Sequence, residues 1–248
     1  MKAAVALTLG WLPPLLAVLL AGCNWPGHPK PEDRPVPEDQ VTDFGKLFTR
    51  NCAGCHGGEG KLGPAPPLND KLFLAIVPDD ELLRVIREGR AVSPAQKTPM
   101  PAFARERGGP LTAQQVEALA KGIKARWGGE APKDAPPPYL APKKTGDKER
   151  GAKLFDLACV GCHGNKGRGA EQAGAVNDRA FLALISDQEL RRIIITGRAD
   201  LGMPDYSSAD WRSPKFETLT SEQINDLVAL LASWRHGGSA NDTGGTER

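Results

Sequence analysis

Charge of one sign, aromatic side chains and alternating apolar runs are all scarce in this sequence. The formal net charge is +2 over 248 residues, which gives no general reason to expect a nucleic-acid partner or an anionic membrane surface. Aromatic residues make up 6% of the chain. No run alternates between apolar and polar residues well enough to predict a strand, so the sequence favours an all-α protein.

Spare cysteines are also absent, which excludes a disulfide framework and a free reactive thiol. The chain has five cysteines. Four of them form two CxxCH motifs, "CAGCH" at 52–56 and "CVGCH" at 159–163, and the fifth is Cys23. Each cysteine therefore already has a place in a motif.

Glycine and proline are plentiful, and they mark the segments of the chain. Together they make up about a fifth of the residues, so loops must be abundant. The sequence predicts a signal peptide at 1–22, a lipidated proline-rich tether at 23–42, a first domain at 43–127, a proline-rich linker at 128–146, a second domain at 147–235 and a disordered tail at 236–248.

The first 22 residues have the pattern of a secretory signal, in which Lys2 is followed by a mostly apolar stretch and two small residues. A membrane-anchor helix is the rival interpretation, but Pro13 and Pro14 interrupt the apolar run and no basic cluster follows it. The stretch "LAGC" at 20–23 resembles the lipobox of bacterial lipoproteins, which implies cleavage before Cys23 and lipidation of that cysteine. An accidental cysteine beside an ordinary cleavage site is the alternative.

The two CxxCH motifs lie in two copies of one sequence. The stretch "LNDKLFLAI" at 68–76 matches "VNDRAFLAL" at 176–184, and "DDELLRVIREGR" at 79–90 matches "DQELRRIIITGR" at 187–198. Both pairs are offset by 108 residues. The chain therefore contains two domains in tandem, each roughly 90 residues long, and a core of that size is marginal unless something large fills it.

Helix signals support this division. Residues 79–89 have an acidic start, apolar positions three and four apart, and Gly89 as a stop. Residues 111–127 have Thr112 as a predicted N-cap and Gln115 three residues later, which is a capping box. We therefore expect each domain to be small, loop-rich and helical.

A CxxCH sequence on a helical turn places two thiols on one face with an imidazole beside them. Two such thiols can form thioethers with the vinyl groups of one haem while the imidazole reaches the iron, which is the c-type haem attachment signature. A zinc site would need its second cysteine pair about 15 to 20 residues away, whereas these pairs are 107 residues apart. A redox-active disulfide would explain neither histidine. We therefore expect two covalently bound c-type haems, one at Cys52, Cys55 and His56 and one at Cys159, Cys162 and His163.

Methionine is rare, and its two internal occurrences are placed alike. Met100 in "KTPMPAFA" lies 44 residues after His56, and Met203 in "DLGMPDYS" lies 40 residues after His163. A proline follows each one, which keeps the methionine backbone out of a helix. A methionine is usually core filler, but this placement predicts that both are distal iron ligands. His/Met ligation is typical of electron transfer and raises the reduction potential.

The chain resembles a tandem dihaem member of the class I cytochromes c with a bacterial lipoprotein signal. The resemblance covers about residues 43–127 and 150–235, and it depends on CxxCH, on the Met-Pro loop and on a C-terminal helix that ends in Trp127 or Trp234. It implies an all-α fold of two tandem class I cytochrome c domains, each a small, loop-rich helical fold around one c-type haem.

The resemblance also implies particular contacts around each haem. The terminal helices should cross, so that Phe48 and Phe155 pack near the two tryptophans. The family usually has a Gly-Pro after CxxCH whose proline carbonyl accepts a hydrogen bond from the histidine Nδ1; Gly63-Pro64 fits this in the first domain, and the second domain has no proline there. Arg90 and Arg198 could pair with haem propionates or could carry only solvated surface charge.

An electron carrier, not an enzyme, is the leading expectation for function, because both irons would be six-coordinate. The alternatives are a dihaem enzyme of the peroxidase type, which needs an open iron with acid–base groups beside it, and a fixed haem subunit of a membrane redox complex. The expected partners are redox proteins, such as a quinol-oxidising complex or a terminal oxidase. We expect the protein to be exported and held by its lipid anchor on a membrane, facing the periplasm or the cell exterior.

Overall fold

The computed structural model describes residues 30, 34–90, 100–130 and 135–236. The predicted signal peptide, the predicted lipidation site Cys23 and residues 237–248 of the predicted tail lie outside these ranges. The prediction that the tail begins at His236 was wrong by one residue, because His236 is the last residue of a helix. Of the first unit, residues 1–38, the structure describes residues 30 and 34–38, which are exposed. The second unit, residues 39–248, holds both predicted domains.

Ten α-helices lie in the described residues, and no strand forms among them. The helices of the first domain are α1 (Phe44–Asn51), α2 (Ala53–His56), α3 (Lys71–Ile76), α4 (Asp79–Glu88) and α5 (Ala113–Trp127). Those of the second are α6 (Lys148–Ala158), α7 (Val160–His163), α8 (Arg179–Leu184), α9 (Asp187–Thr196) and α10 (Ser221–His236). Short 3-10 helices occupy Glu38–Gln40, Arg105–Arg107, Asn165–Gly167 and Ala199–Leu201. The all-α expectation is confirmed, and none of these helices is long and apolar enough to cross a membrane.

Local sequence signals account for the ends of these helices. The Thr112 hydroxyl accepts a hydrogen bond from the Gln115 amide at 3.3 Å, and the Gln115 side chain accepts one from the Thr112 amide at 3.0 Å. This confirms the predicted capping box at the start of α5. Helix α4 ends at Gly89 as predicted, and the φ of 73° at that residue favours glycine.

Each domain has its own hydrophobic core, built where its first and last long helices cross. In the first domain the rings of Phe48 and Trp127 pack edge to face with centroids 4.9 Å apart. In the second domain Phe155 and Trp234 make the same contact at 5.4 Å. Both contacts expected from the family resemblance are confirmed, and rings in this geometry attract each other beyond simple burial.

The two crossings differ in which helix supplies the small residue. In the first domain Phe44 on α1 lies against Gly122 on α5, where a Cβ atom would come within 2.2 Å of the Phe44 ring. In the second domain the residue equivalent to Phe44 is Gly151 on α6, and the residue equivalent to Gly122 is Leu230 on α10. Each crossing therefore pairs one large side chain with one glycine, so the helices approach closely in both domains.

The linker between the domains is anchored at Tyr139. This side chain is 2% exposed and belongs to the core of the first domain, where its ring lies 5.9 Å from that of Phe73. Its backbone carbonyl accepts hydrogen bonds from the second domain, from Gln188 at 2.7 Å and from Arg191 at 3.2 Å. The linker is therefore not an extended spacer at this point, although its proline content suggested one. Residues 131–134 lie outside the described ranges.

Candidate functional sites

The first CxxCH motif forms one tight helical turn at the end of α1. Cys52 closes α1, and its carbonyl accepts hydrogen bonds from the amides of Cys55 at 3.1 Å and His56 at 2.9 Å. The two thiols and the imidazole therefore project from a single turn. Cys159, Cys162 and His163 repeat this arrangement after α6, with distances of 3.2 and 2.9 Å.

The thiols of these motifs are not paired with each other. All four motif cysteines are free, and burial raises the pKa of Cys52 and of Cys159 to about 12. Redox-active CxxC sites work through a cysteine whose pKa is lowered, so this environment does not fit a disulfide oxidoreductase. Among the described residues, no group of three or more histidines, cysteines or acids could hold a metal ion.

The imidazole of His56 is fixed by a backbone carbonyl. Its Nδ1 lies 3.0 Å from the carbonyl oxygen of Pro66, which leaves Nε2 as the nitrogen available to a metal. Burial lowers the pKa of His56 and nearby Arg192 adds to this effect, while the Pro66 hydrogen bond opposes it. The neutral imidazole is the form that binds iron. The expectation that Pro64 supplies the carbonyl was wrong, because the acceptor lies two residues further along.

The imidazole of His163 makes the equivalent bond without a proline. Its Nδ1 lies 3.3 Å from the carbonyl oxygen of Gly174, in a more exposed position than the bond of His56. The sequence left the geometry at this histidine open, because the proline of the family pattern is missing. A glycine carbonyl takes that role here, in a longer contact.

In each domain the backbone carbonyl of the candidate methionine accepts a hydrogen bond from the backbone amide of an arginine. This arginine follows the second-to-last helix of the domain. The Arg90 amide donates to the Met100 carbonyl at 3.1 Å, and the Arg198 amide donates to the Met203 carbonyl at 3.0 Å. The glycine before each arginine is required, because a Cβ atom at Gly89 would come within 2.5 Å of the Met100 carbonyl. Both methionines are half-buried, and Met100 packs against the same core as Cys52. Residues 91–99, which precede Met100, lie outside the described ranges.

The side chains of Arg90 and Arg198 have protein partners. Arg90 forms an ion pair with Glu189 of the second domain and donates to the Tyr139 hydroxyl at 2.6 Å. Arg198 pairs with Asp200, two residues further along, at 2.9 Å. The two residues looked equivalent in sequence, but one of them joins the two domains and the other does not.

Glu189 and Arg192 were not singled out from the sequence. Both are buried and both lie near the first CxxCH motif, although they belong to the second domain. On the period of an α-helix both residues fall away from the side of α9 that carries Leu190 and Ile194, so the apolar pattern of the helix gave no signal for them. In the first domain the corresponding arginine has a half-exposed side chain, so the repeat alone did not reveal that Arg192 would be buried.

These features fit a covalently attached haem in each domain. The motif supplies two unpaired thiols on one turn, an imidazole whose tautomer leaves Nε2 available, and a methionine held by backbone hydrogen bonds. Such a donor set suits iron in a haem and provides no closed cage for a bare metal ion.

Two protein-family models match the chain, one in each domain. The model described as "Cytochrome C oxidase, cbb3-type, subunit III" matches residues 39–121. The model described as "Cytochrome c" matches residues 148–235. The matches cover both CxxCH motifs and both candidate methionines.

Curated relatives include subunits of one class of oxidase. The Cbb3-type cytochrome c oxidase subunit FixP of Bradyrhizobium diazoefficiens is 30% identical over 164 residues, which are 64% of this chain and 52% of that protein. The Cbb3-type cytochrome c oxidase subunit CcoP of Rubrivivax gelatinosus is 26% identical over 208 residues, which are 82% of this chain and 58% of that protein. The chain thus spans little more than half the length of these relatives.

Among solved structures, the reduced recombinant cytochrome c4 from Pseudomonas stutzeri aligns with 77% of this chain and 97% of its own, at 20% identity and a TM-score of 0.22. The family models, the CxxCH turns and the helical fold together identify the family. Residues 39–121 and 148–235 are two cytochrome c domains in tandem, and the chain is a dihaem cytochrome c that binds one c-type haem covalently in each domain.

Proposed function

We propose that this protein is a membrane-anchored electron carrier that passes single electrons between respiratory partners through two His/Met-ligated haems. One observation carries the proposal: each domain holds an imidazole with Nε2 available and a methionine fixed by the same backbone hydrogen bond. A bound haem supplies a one-electron Fe(III)/Fe(II) couple whose potential depends on its axial ligands.

The residues of this chain would hold each iron without an open position. His56 and Met100 would hold the first iron, and His163 and Met203 would hold the second. The carbonyls of Pro66 and Gly174 orient the histidines and prevent the imidazoles from turning. A peroxidase would need one iron that opens to its substrate, and a methionine in each domain argues for transfer of electrons instead.

A terminal oxidase of the cbb3 type is the partner that we favour. The support is the match of the first domain to a cbb3-type subunit III model and the similarity to FixP and CcoP, whose names assign them to such oxidases. The chain is either a fixed subunit of that oxidase or a separate carrier that supplies it. Purification of solubilised membranes distinguishes the two, because a fixed subunit stays with the oxidase at high salt and a carrier dissociates.

A redox titration of the purified full-length protein, with spectra recorded at each potential, tests the proposed function. We expect two haems per chain, the methionine–iron charge-transfer band in the ferric protein, and no change of the ferric spectrum when peroxide is added. A high-spin ferric haem that reacts with peroxide would contradict the carrier and favour the enzyme.

A further inference from the structure

A cluster of charged side chains lies where the second domain meets the first. Arg192 and Glu189, both on α9, are within 3.4 Å of each other. Arg90 of the first domain pairs with the same glutamate and also donates to the Tyr139 hydroxyl. Arg192 is 5% exposed and Glu189 is 8% exposed, so the cluster is buried in the interface.

Arg192 reaches directly into the first domain. Its guanidinium lies 3.6 Å from the centroid of the Phe73 ring and donates a hydrogen bond to the carbonyl of Pro67. The preceding carbonyl, that of Pro66, accepts the hydrogen bond from His56. Two consecutive carbonyls are therefore held by side chains, one by the imidazole of the first haem site and the other by a cation from the second domain.

The repeat shows that this burial is specific to the second domain. Arg84 and Glu81 are the equivalent residues of the first domain, offset by 108 positions, and they form the same pair on α4 at 2.8 Å. There the arginine side chain is 50% exposed, whereas that of Arg192 is 6% exposed. The same two residue types thus form a pair with an exposed arginine in the first domain and a buried interface pair in the second.

A buried cation near the first haem site favours the reduced iron, because reduction removes one positive charge from the iron. Glu189 acts in the opposite direction, and Asp70, which caps α3 beside Phe73, is the other acid that faces Arg192. Charges in a protein interior interact more strongly than charges in water, so each of these side chains can change the reduction potential of the iron measurably.

We propose that Arg192 of the second domain positions the His56-bearing segment of the first domain and raises the reduction potential of the first haem. The proposal rests on the ligation by His56 proposed above. It makes the electron affinity of the first haem dependent on the docking of the second domain.

Redox titration of four full-length variants tests this proposal. In Arg192→Met the first haem should become harder to reduce, with about a tenfold change in its oxidised-to-reduced ratio, which equals about 59 mV for a one-electron couple. Arg192→Lys retains the charge and should retain most of the potential. Glu189→Gln should change the potential in the opposite direction. Arg84→Met is the matched control, and it should leave both potentials unchanged because Arg84 is at the surface.

The direction of the changes separates an electrostatic role from a structural one. If Arg192→Met and Glu189→Gln lower the first potential together, or if neither changes it, the pair only holds the domains together and the proposal is wrong. The component that moves in Met100→Ala identifies the first haem. Absence of the methionine–iron band from the wild-type protein would refute the proposed ligation, whereas its presence with parallel changes would refute only the role of Arg192.

Discussion

His56 and His163 are held by backbone carbonyls that differ in position and in distance. The Pro66 carbonyl lies 3.0 Å from Nδ1 of His56, and the Gly174 carbonyl lies 3.3 Å from Nδ1 of His163. A shorter bond fixes an imidazole more firmly and increases its strength as a ligand. On this ground alone the two haems of one molecule should have different reduction potentials.

Substitution of the methionines tests the distal ligands. Met100→Ala should remove the thioether from the first iron, abolish about half of the methionine–iron band and lower one potential by at least about 59 mV, the equivalent of tenfold for a one-electron couple. Met203→Ala should do the same at the second iron, so each variant is the control of the other. Spectra and titrations that match the wild type in both variants would rule out this ligation.

Substitution of one cysteine per motif tests the attachment. Cys55→Ala and Cys162→Ala should each prevent stable maturation of one site, because the haem fills much of a small core. Mass spectrometry of the denatured variants should then find one covalent haem in place of two. If the wild-type protein carries fewer than two, the assignment of the motifs is wrong.

Individual site residues could be predicted from the sequence where their chemistry depends on side-chain type and spacing. Cysteines three apart before a histidine can be found by inspection, and so can a methionine before a proline. The Pro66 carbonyl could not be found, because the stretch "GPAPPL" at 63–68 offers several carbonyls and only the fold selects one. Backbone groups are the same in every residue, so spacing does not distinguish them.

The crossing of the terminal helices is the feature that each domain builds most differently. The first domain places Phe44 against Gly122, and the second places Gly151 near Leu230. The close approach is thus preserved while the large residue moves from one helix to the other. The sequence predicted these helices and their aromatic contacts, but the exchange of sizes requires knowledge of which positions face each other.

A double-mutant cycle measures how strongly the sizes of Phe44 and Gly122 depend on each other. Gly122→Leu should destabilise the first domain, because even a Cβ atom at this position would come within 2.2 Å of the Phe44 ring. Phe44→Gly should also destabilise it, through the loss of aromatic packing. The double variant should lose less than the sum, with a coupling of about 1–3 kcal/mol in urea denaturation. Additive losses would show that the two residues do not share this space.

Asp226 anchors the equivalent crossing in the second domain. It is 4% exposed, and its carboxylate accepts hydrogen bonds from the Arg150 guanidinium at 2.7 and 2.8 Å and from the Asp147 amide at 2.7 Å. Burial alone would raise the pKa of Asp226, but these hydrogen bonds lower it below its ordinary value. A carboxyl with a lowered pKa in the folded state stabilises the fold above its unfolded pKa of about 4.

The lowered pKa of Asp226 predicts how the free energy of unfolding depends on pH. Asp226→Asn should be less stable than the wild type at pH 7, and the difference should shrink as the pH falls through the folded pKa of Asp226, where the wild-type carboxylate is also neutralised. Urea midpoints measured from pH 7 down to pH 3 provide the test. A difference that stays constant over this range would show that the charge of Asp226 contributes nothing.

The whole molecule depends on the linker and on the interface charges. Tyr139 is buried in the first domain while its carbonyl bonds to the second, and Arg192 is buried between the two. The sequence predicted two domains and a proline-rich connection. It could not predict the docking, because Arg84 and Arg192 occupy equivalent positions and only the neighbouring domain makes their surroundings different.

Attachment to a membrane is tested at Cys23, which we propose to be the lipidated residue. Cys23→Ser should release the protein from washed membranes into the soluble fraction, because the acyl chains would be missing. The variant should keep both haems, since Cys23 lies outside the matched domains. Retention of the haem-containing variant in the membranes would point to an uncleaved helix or to a protein that holds it there.

The contacts between the two domains show that the two copies of the repeat have diverged. A gene duplication produces interchangeable copies, yet Arg90 now pairs across the interface with Glu189. The counterparts Arg198 and Glu81 have found partners within their own domains, and Tyr139 lies in the single segment that joins the two. A gene with its halves in reverse order would encode both haem motifs but would lose these pairings. The two domains are therefore no longer equivalent. Each can now accept only those substitutions at the interface that preserve its contacts with the other domain.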